Sequence, residues 1–182
     1  MTKRNKSCES EVMLTMQRKE LLKKSAIRHA EYYGMVEVQD ALYADSANKK
    51  IFTDLISIIG SDANIKMAYR NLKSNKGSNT PGVDGKTFKD LAEMSEEALV
   101  RCVRDKILNY QPKAVRRVYI PKPNGKMRPL GIPTVIDRIV QQSVLQVMEP
   151  ICEAKFYRHS YGFRPNRSTK NAVACLLYTS PS

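Results

Sequence analysis

The sequence predicts an α+β fold in which a helical N-terminal part precedes one antiparallel β-hairpin and a long core helix. Three observations carry this. Residues 115–132 read Val-Arg-Arg-Val-Tyr-Ile-Pro-Lys-Pro-Asn-Gly-Lys-Met-Arg-Pro-Leu-Gly-Ile, two β-prone runs around Asn124-Gly125. That dipeptide is the strongest short hairpin signal, because both residues tolerate the positive φ of a type I′ turn. Next, Ile136, Ile139, Val140, Val144, Val147, Met148 and Ile151 recur at helical spacing. Finally, residues 12–33 are rich in Lys, Glu, Leu and Met and stop at Gly34.

Taken in order, residues 1–10 read as a frayed end. Helices are expected over 12–33, 35–46 and 50–59. Gly60-Ser61-Asp62 punctuates, and Asp62 is placed to cap a helix with the apolar face Ile65, Ala68, Tyr69 and Leu72. Lys66, Arg70 and Lys73 fall on its other faces, and it ends near Asn75. Residues 76–84 form a Gly/Ser/Asn/Pro stretch too polar to pack, either a flexible linker or a ligand-contacting loop. Ser95 caps a helix with an acidic first turn (Glu96, Glu97) that runs to about Asn109. Its core face is Leu99, Val103 and Ile107, with Cys102 adjacent, and Pro112 stops it. In the hairpin, alternation points Arg116, Val118 and Ile120 one way and Arg117 and Tyr119 the other. Thr134 and Asp137 resemble a capping box that opens a helix over 134–154. Gln141, Gln142 and Gln146 lie beside or between its apolar positions. Residues 161–168 are turn-rich and polar, and Ser168 or Thr169 caps a last helix through 171–174. Residues 175–182 break that pattern.

The chain has 182 residues, enough for one domain with a real core, and its 42% hydrophobic share argues against broad disorder. A net charge of +13 and a pI near 9.7 point to a polyanionic partner. Residues 1–60 are nearly balanced, with ten Lys/Arg against eight Asp/Glu. From Lys106 onward there are thirteen Lys/Arg and only three acids, Asp137, Glu149 and Glu153. The binding surface is therefore expected in the second half. Cys8, Cys102, Cys152 and Cys175 form no CxxC pair, and His29 and His159 are far apart, which argues against zinc. Isolated thiols fit a reducing cytoplasm. No run approaches the ~18 apolar residues of a membrane span. The basic N-terminus has no apolar segment behind it, so it does not read as a signal peptide. No repeat of solenoid period is evident.

The hairpin is followed by Pro133-Thr134-Val135-Ile136-Asp137-Arg138-Ile139-Val140-Gln141-Gln142, then Glu149-Pro150-Ile151, then Ser160-Tyr161-Gly162-Phe163-Arg164-Pro165-Asn166-Arg167-Ser168. That ordered series closely resembles the N-terminal part of group II intron-encoded reverse transcriptases, the intron maturases. Ala68-Tyr69-Arg70-Asn71-Leu72-Lys73-Ser74-Asn75-Lys76-Gly77 and Pro81-Gly82-Val83-Asp84-Gly85 resemble the same family's N-terminal extension. The resemblance covers about residues 64–174. It implies the fingers subdomain of a right-hand polymerase with a helical N-terminal extension and the palm missing. The domain division expected is 1–60 (extension), 61–174 (fingers) and 175–182 (tail). The tail looks like an in-frame translation of a transposon-end adapter used in sequencing libraries, so native sequence is expected to end near Ala174.

The resemblance also implies a chemistry and its partners. An RNA-directed DNA polymerase of this family binds intron RNA, an RNA template with a DNA primer, and an incoming dNTP. It uses two Mg²⁺ ions held by carboxylates. Those carboxylates belong to an Asp-Ile-x-x-Phe-Phe-Asp type strand and a Tyr-Ala-Asp-Asp motif, neither of which this sequence contains. Tyr43-Ala44-Asp45 is followed by Ser46, precedes every finger motif and sits in a helical context, so it reads as coincidence. No catalytic or metal-binding residue is therefore assigned. Arg116, Lys122 and Arg128 match the finger cations that close over the triphosphate, with Lys122 and Arg128 flanking the turn. Arg117 and Lys126 are placed on the nucleic-acid backbone. Arg164 and Arg167 bracket Pro165 and are placed at the template, their alternative being solvated loop arginines. Tyr161 and Phe163 suit stacking on a base or plugging the core beneath the hairpin, the latter favoured for Phe163. Asn75, Lys76 and Gly77, with Gly82 and Gly85, form the template-side loop by resemblance. Asp84 reads as an Asx-turn former. A bacterial cytoplasmic location, no membrane, and a homodimer in the full-length form complete the expectations. The competing readings are a non-catalytic RNA-binding splicing cofactor and, more remotely, a basic ribosomal-type protein.

Overall fold

The computed structural model describes residues 27–179. Residues 27–32 are the described part of α1, which ends as expected at Gly34 (φ 65). The rest of the expected 12–33 helix lies outside the described residues. There follow α2 (Met35–Ala47), α3 (Leu55–Ile59), α4 (Asp62–Lys73), α5 (Phe88–Leu91) and α6 (Glu96–Leu108). Strands β1 (Arg116–Pro121) and β2 (Met127–Ile132) then lead to α7 (Val135–Glu153) and α8 (Thr169–Thr179). The mixed α and β reading and the hairpin at 115–132 hold.

Local boundaries differ in instructive ways. The helix expected over 50–59 is only α3, because Lys49 turns the chain at φ 61 and Asp54 caps the restart by accepting from Ser57 N–H. The intervening Ile51, Phe52 and Thr53 are poor helix formers. The cap of α4 is Ser61, whose hydroxyl accepts from Asn64 N–H, while Asp62 pairs with Arg104 of α6. α5 is not among the expected helices, yet its capping box is legible: Thr87 accepts from Lys89 N–H, and Asp90 accepts from Thr87 N–H at 2.6 Å. α8 continues through Thr179, so residues 175–179 do not break the helix, but Leu176, Leu177 and Tyr178 are all exposed.

The core lies among the helices. Ile65, Ala68, Leu99, Val103, Val135, Ile139 and Val147 are buried together, with Phe88 and Leu91 of α5 closing one side. Ile139 and Val147 are fully buried, whereas Val144 and Leu145 stay exposed. α7 is the central element and packs against α2, α3, α4 and α6. Its Pro150 has no N–H to offer the carbonyl of Gln146. Gln39 Nε2 of α2 fills that vacancy at 3.1 Å, and Ser46 Oγ donates to Ile151 O at 2.8 Å. Two polar contacts thus stitch α2 to α7 on either side of Pro150.

Candidate nucleic-acid interface

The hairpin contributes no residue to the buried core; it projects as a two-stranded ribbon. Arg116 pairs with Ile132, Val118 with Leu130 and Ile120 with Arg128. Beyond them, Lys122 N–H donates to Lys126 O at 2.8 Å. The turn is not type I′. Only Gly125 has a positive φ (76), and its N–H donates to Lys122 O at 3.0 Å. Pro123, with φ locked near −65°, suits the first central position of a type I turn and moves the turn one residue toward the N-terminus. Gly125 then closes a three-residue loop in the manner of a G1 bulge.

This register has an electrostatic consequence. Strand alternation collects Arg116, Lys122, Lys126 and Arg128 on one face and leaves Arg117 as the sole cation of the other, beside Tyr119 and Met127. Lys126, expected to serve separately, shares the face of Lys122 and Arg128. Along that face Lys122 and Arg128 are two positions apart, about 7 Å, whereas Arg116 lies six positions from Lys122, roughly 20 Å. Arg116 sits half-buried at the base and donates from Nε to Pro81 O at 3.0 Å. The three expected triphosphate cations therefore divide into a close pair near the tip and a third committed in part to the loop below.

Nor is that loop a linker. Lys76–Asn79 forms a 3₁₀ turn with Asn75 ahead of it, and the side chains of Asn75 and Lys76 are exposed. Arg138 of α7 donates to Gly77 O at 3.0 Å, to Thr80 O and to Pro133 O. Gly82 is buried so tightly that a Cβ would lie 2.7 Å from Thr134 Cα and 2.9 Å from Pro133 O. Burial pulls the Arg138 pKa below its ordinary value, against a smaller opposing pull from Asp84. Asp84 forms the expected Asx turn, accepting from Lys86 N–H at 3.3 Å, and Gly85 follows at φ 71. The expectation that 76–84 is too polar to pack is thus corrected: its carbonyls, rather than its side chains, do the packing.

The 157–168 segment brings two further corrections. Arg164 is buried rather than presented to a template. Its Nε and Nη2 grip Glu153, and Nη1 donates to Tyr157 O and Ser160 O at 2.9 and 3.0 Å. Its guanidinium also stacks on Phe156 at 5.1 Å. With its donors spent internally, Arg164 is the staple of this turn. Phe163 does not plug the core; it is fully exposed at φ 57. Arg167 remains partly exposed, lies over the Tyr161 ring at 5.4 Å and donates to Arg158 O. A hydrogen bond with Cys175, then burial, raises the Tyr161 pKa.

The sequence alone assigns no role to Arg138 or to the buried amides Asn64 and Gln146. The one available signal was a polar residue falling on an apolar helix face. Tyr43-Ala44-Asp45 lies within α2, and Asp45 pairs with Lys50 at 2.7 Å. Among the described residues no group of three or more His, Cys, Asp or Glu could hold a metal ion. These residues do not fit a two-metal centre. No described helix is long and apolar enough to cross a membrane.

No protein-family model matches the chain. It is 51% identical over 108 residues to Protein YkfC of Escherichia coli, covering 58% of this chain and 28% of that protein. It is 41% identical over 111 residues to the group II intron-encoded protein LtrA of Lactococcus lactis, covering 60% of this chain and 18% of LtrA. The COX1/OXI3 intron 1 protein of Saccharomyces cerevisiae is 32% identical over 140 residues, covering 74% of this chain and 16% of that protein. The chain thus spans less than a third of the length of these relatives. Its homologues thus include the group II intron-encoded protein LtrA and the yeast COX1/OXI3 intron proteins, in keeping with the family that its ordered motifs resemble.

Proposed function

We propose that the chain forms the N-terminal extension and fingers of a group II intron reverse transcriptase with maturase function. The observation that carries this beyond homology is the hairpin face. Arg116, Lys122, Lys126 and Arg128 line one side of a projecting ribbon that holds no acid, beside an anchored loop bearing Asn75 and Lys76. Lys122 and Arg128 take the triphosphate of the incoming dNTP. Arg116 steadies the base of the same ribbon, with donors left for phosphate. Lys126, Arg117, Lys76 and Arg167 meet intron RNA or the RNA template paired with its DNA primer, and Tyr161 stacks nearby. Mg²⁺ would supply activation of the 3′-hydroxyl in the whole polymerase. The carboxylates for it belong to palm motifs that this sequence does not contain.

The test uses this 182-residue chain and a version extended from Ala174 by the palm of a close relative. The short chain should bind RNA with an affinity that falls steeply with salt, because phosphate contacts release counterions. It should extend no primer, and the extended version should. Primer extension by the short chain that survives repurification would overturn this assignment. The second reading, an RNA-binding splicing cofactor without polymerase chemistry, is favoured by the lack of a carboxylate cluster among the described residues. Its mark would be intron RNA binding in the extended version with no dNTP binding.

A further inference from the structure

We propose that Arg138 is a positioning residue: it fixes the Lys76–Asn79 turn so that RNA meets a rigid Lys76. The consequence for RNA rests on the function proposed above; the anchoring does not. Arg138 reaches back 61 and 58 positions to the carbonyls of Gly77 and Thr80, and locally to Pro133 O. These are three main-chain acceptors in different directions, which a planar guanidinium spans and a single ammonium does not. Two further attachments follow within a few residues. Arg116 Nε holds Pro81 O, and Gly82 lies against Pro133 and Thr134 with no space for a side chain. The turn is therefore tied to both the start of α7 and the base of β1. A polar loop left free would lose conformational entropy when a ligand ordered it; one already held does not. Lys76 itself is exposed and makes no ion pair among the described residues, so its ammonium is presented to solvent on the anchored turn.

Arg138→Lys keeps the charge and loses the three-way grip, so it separates positioning from direct phosphate contact. Arg138→Lys, Lys76→Ala, Lys122→Ala and the two doubles Arg138→Lys/Lys76→Ala and Arg138→Lys/Lys122→Ala would be titrated with a fluorescent oligouridylate across a salt series. Circular dichroism would confirm an unchanged fold. Arg138→Lys should lower the slope of log affinity against log salt by about 0.7, the value of one contact to a single strand. Lys76→Ala should lower it equally and add nothing in the Arg138→Lys background, whereas Lys122→Ala should add in full. Amide exchange at Gly77–Thr80 should quicken about tenfold in Arg138→Lys with no RNA present. Unchanged exchange would overturn the anchor. Additive losses from Arg138→Lys and Lys76→Ala would show that Arg138 does not act through Lys76. A wild-type chain that bound no RNA would overturn the RNA role, and the exchange data would still decide the anchor.

Discussion

Gln146 of α7 and Asn64 of α4 meet in the core, 82 positions apart in sequence. Gln146 Nε2 donates to Asn64 Oδ1 at 2.7 Å and to Asn64 O at 3.1 Å. Asn64 Nδ2 in turn donates to Ile59 O and Ser143 O, both at 3.0 Å. Asn71 Nδ2 reaches Gln146 Oε1 at 3.0 Å, and His29 Nδ1 lies 2.7 Å from Asn71 Oδ1. Four elements are thus locked by one amide network. Removing one amide strands the partners it leaves in the interior. Gln146→Leu should therefore cost about 1–3 kcal/mol in urea unfolding. Asn64→Leu added to it should cost clearly less than the sum of the two single changes.

Gly82→Ala should destabilise the chain by about 1–3 kcal/mol, since the added methyl would press on backbone at Thr134 and Pro133 rather than on a yielding side chain. The same change at Gly77, where the space is open, should lie within about 0.5 kcal/mol of wild type. Thermal melting of the two variants checks the contrast.

Acid should weaken the Arg164 staple. The hydrogen bond from Arg164, then their charge attraction, holds the Glu153 carboxyl below its ordinary 4.5. The unfolded chain therefore binds this proton more readily. The staple's contribution is complete above about pH 4.5 and disappears as pH falls through the lower folded value. Glu149 has the opposite sign. Burial, then the charge of Glu153, raises its pKa above 4.5, so its share of stability declines as pH rises through the window above that value. Glu153→Gln should lower the urea midpoint at neutral pH and reduce the fall below about pH 4.5, to which Asp90 and Glu97, also held below their ordinary values by local hydrogen bonds, contribute as well. An acid-side fall of unchanged size in that variant would assign it wholly to other carboxylates.

Phe163 holds a bulky side chain at a left-handed φ of 57 and fully in solvent. Folding gains nothing from it there. Phe163→Gly should leave stability unchanged or raise it by up to about 1–2 kcal/mol. If the ring stacks on a base, affinity for oligouridylate should fall by about 1–3 kcal/mol. Unchanged affinity would place the ring outside the RNA path.

The hairpin cations should divide by position. In the palm-extended version, Lys122→Ala with Arg128→Ala should raise the KM for dNTP far more than it weakens RNA binding. Arg116→Ala should instead loosen the loop at Pro81, which it holds from the base. Equal losses of dNTP and RNA binding from the Lys122/Arg128 pair would remove the triphosphate assignment.

Sequence by itself determined whatever depends on neighbours a few residues away. The helical period of Ile139, Val140, Val147 and Ile151, the caps at Ser95 and Thr134, the Asx turn at Asp84 and the hairpin at 115–132 are all of this kind. So is the motif series that led to the group II intron-encoded relatives. Tertiary structure decided where each polar group spends its hydrogen bonds. In sequence Arg164 is a turn-borne cation like Arg167, and Arg138 is one more cation in the basic second half, like Arg128. Only the folded chain brings Glu153, Tyr157 and Ser160 around the first, and Gly77, Thr80 and Pro133 around the second. Phe163 reads as core by composition, but the φ of its turn directs it outward. The physical reason is common to all three. Local propensity sets the conformation of a segment, whereas the fate of a charge or a ring depends on which distant carbonyls, carboxylates or apolar surfaces the fold brings within a few ångströms of it.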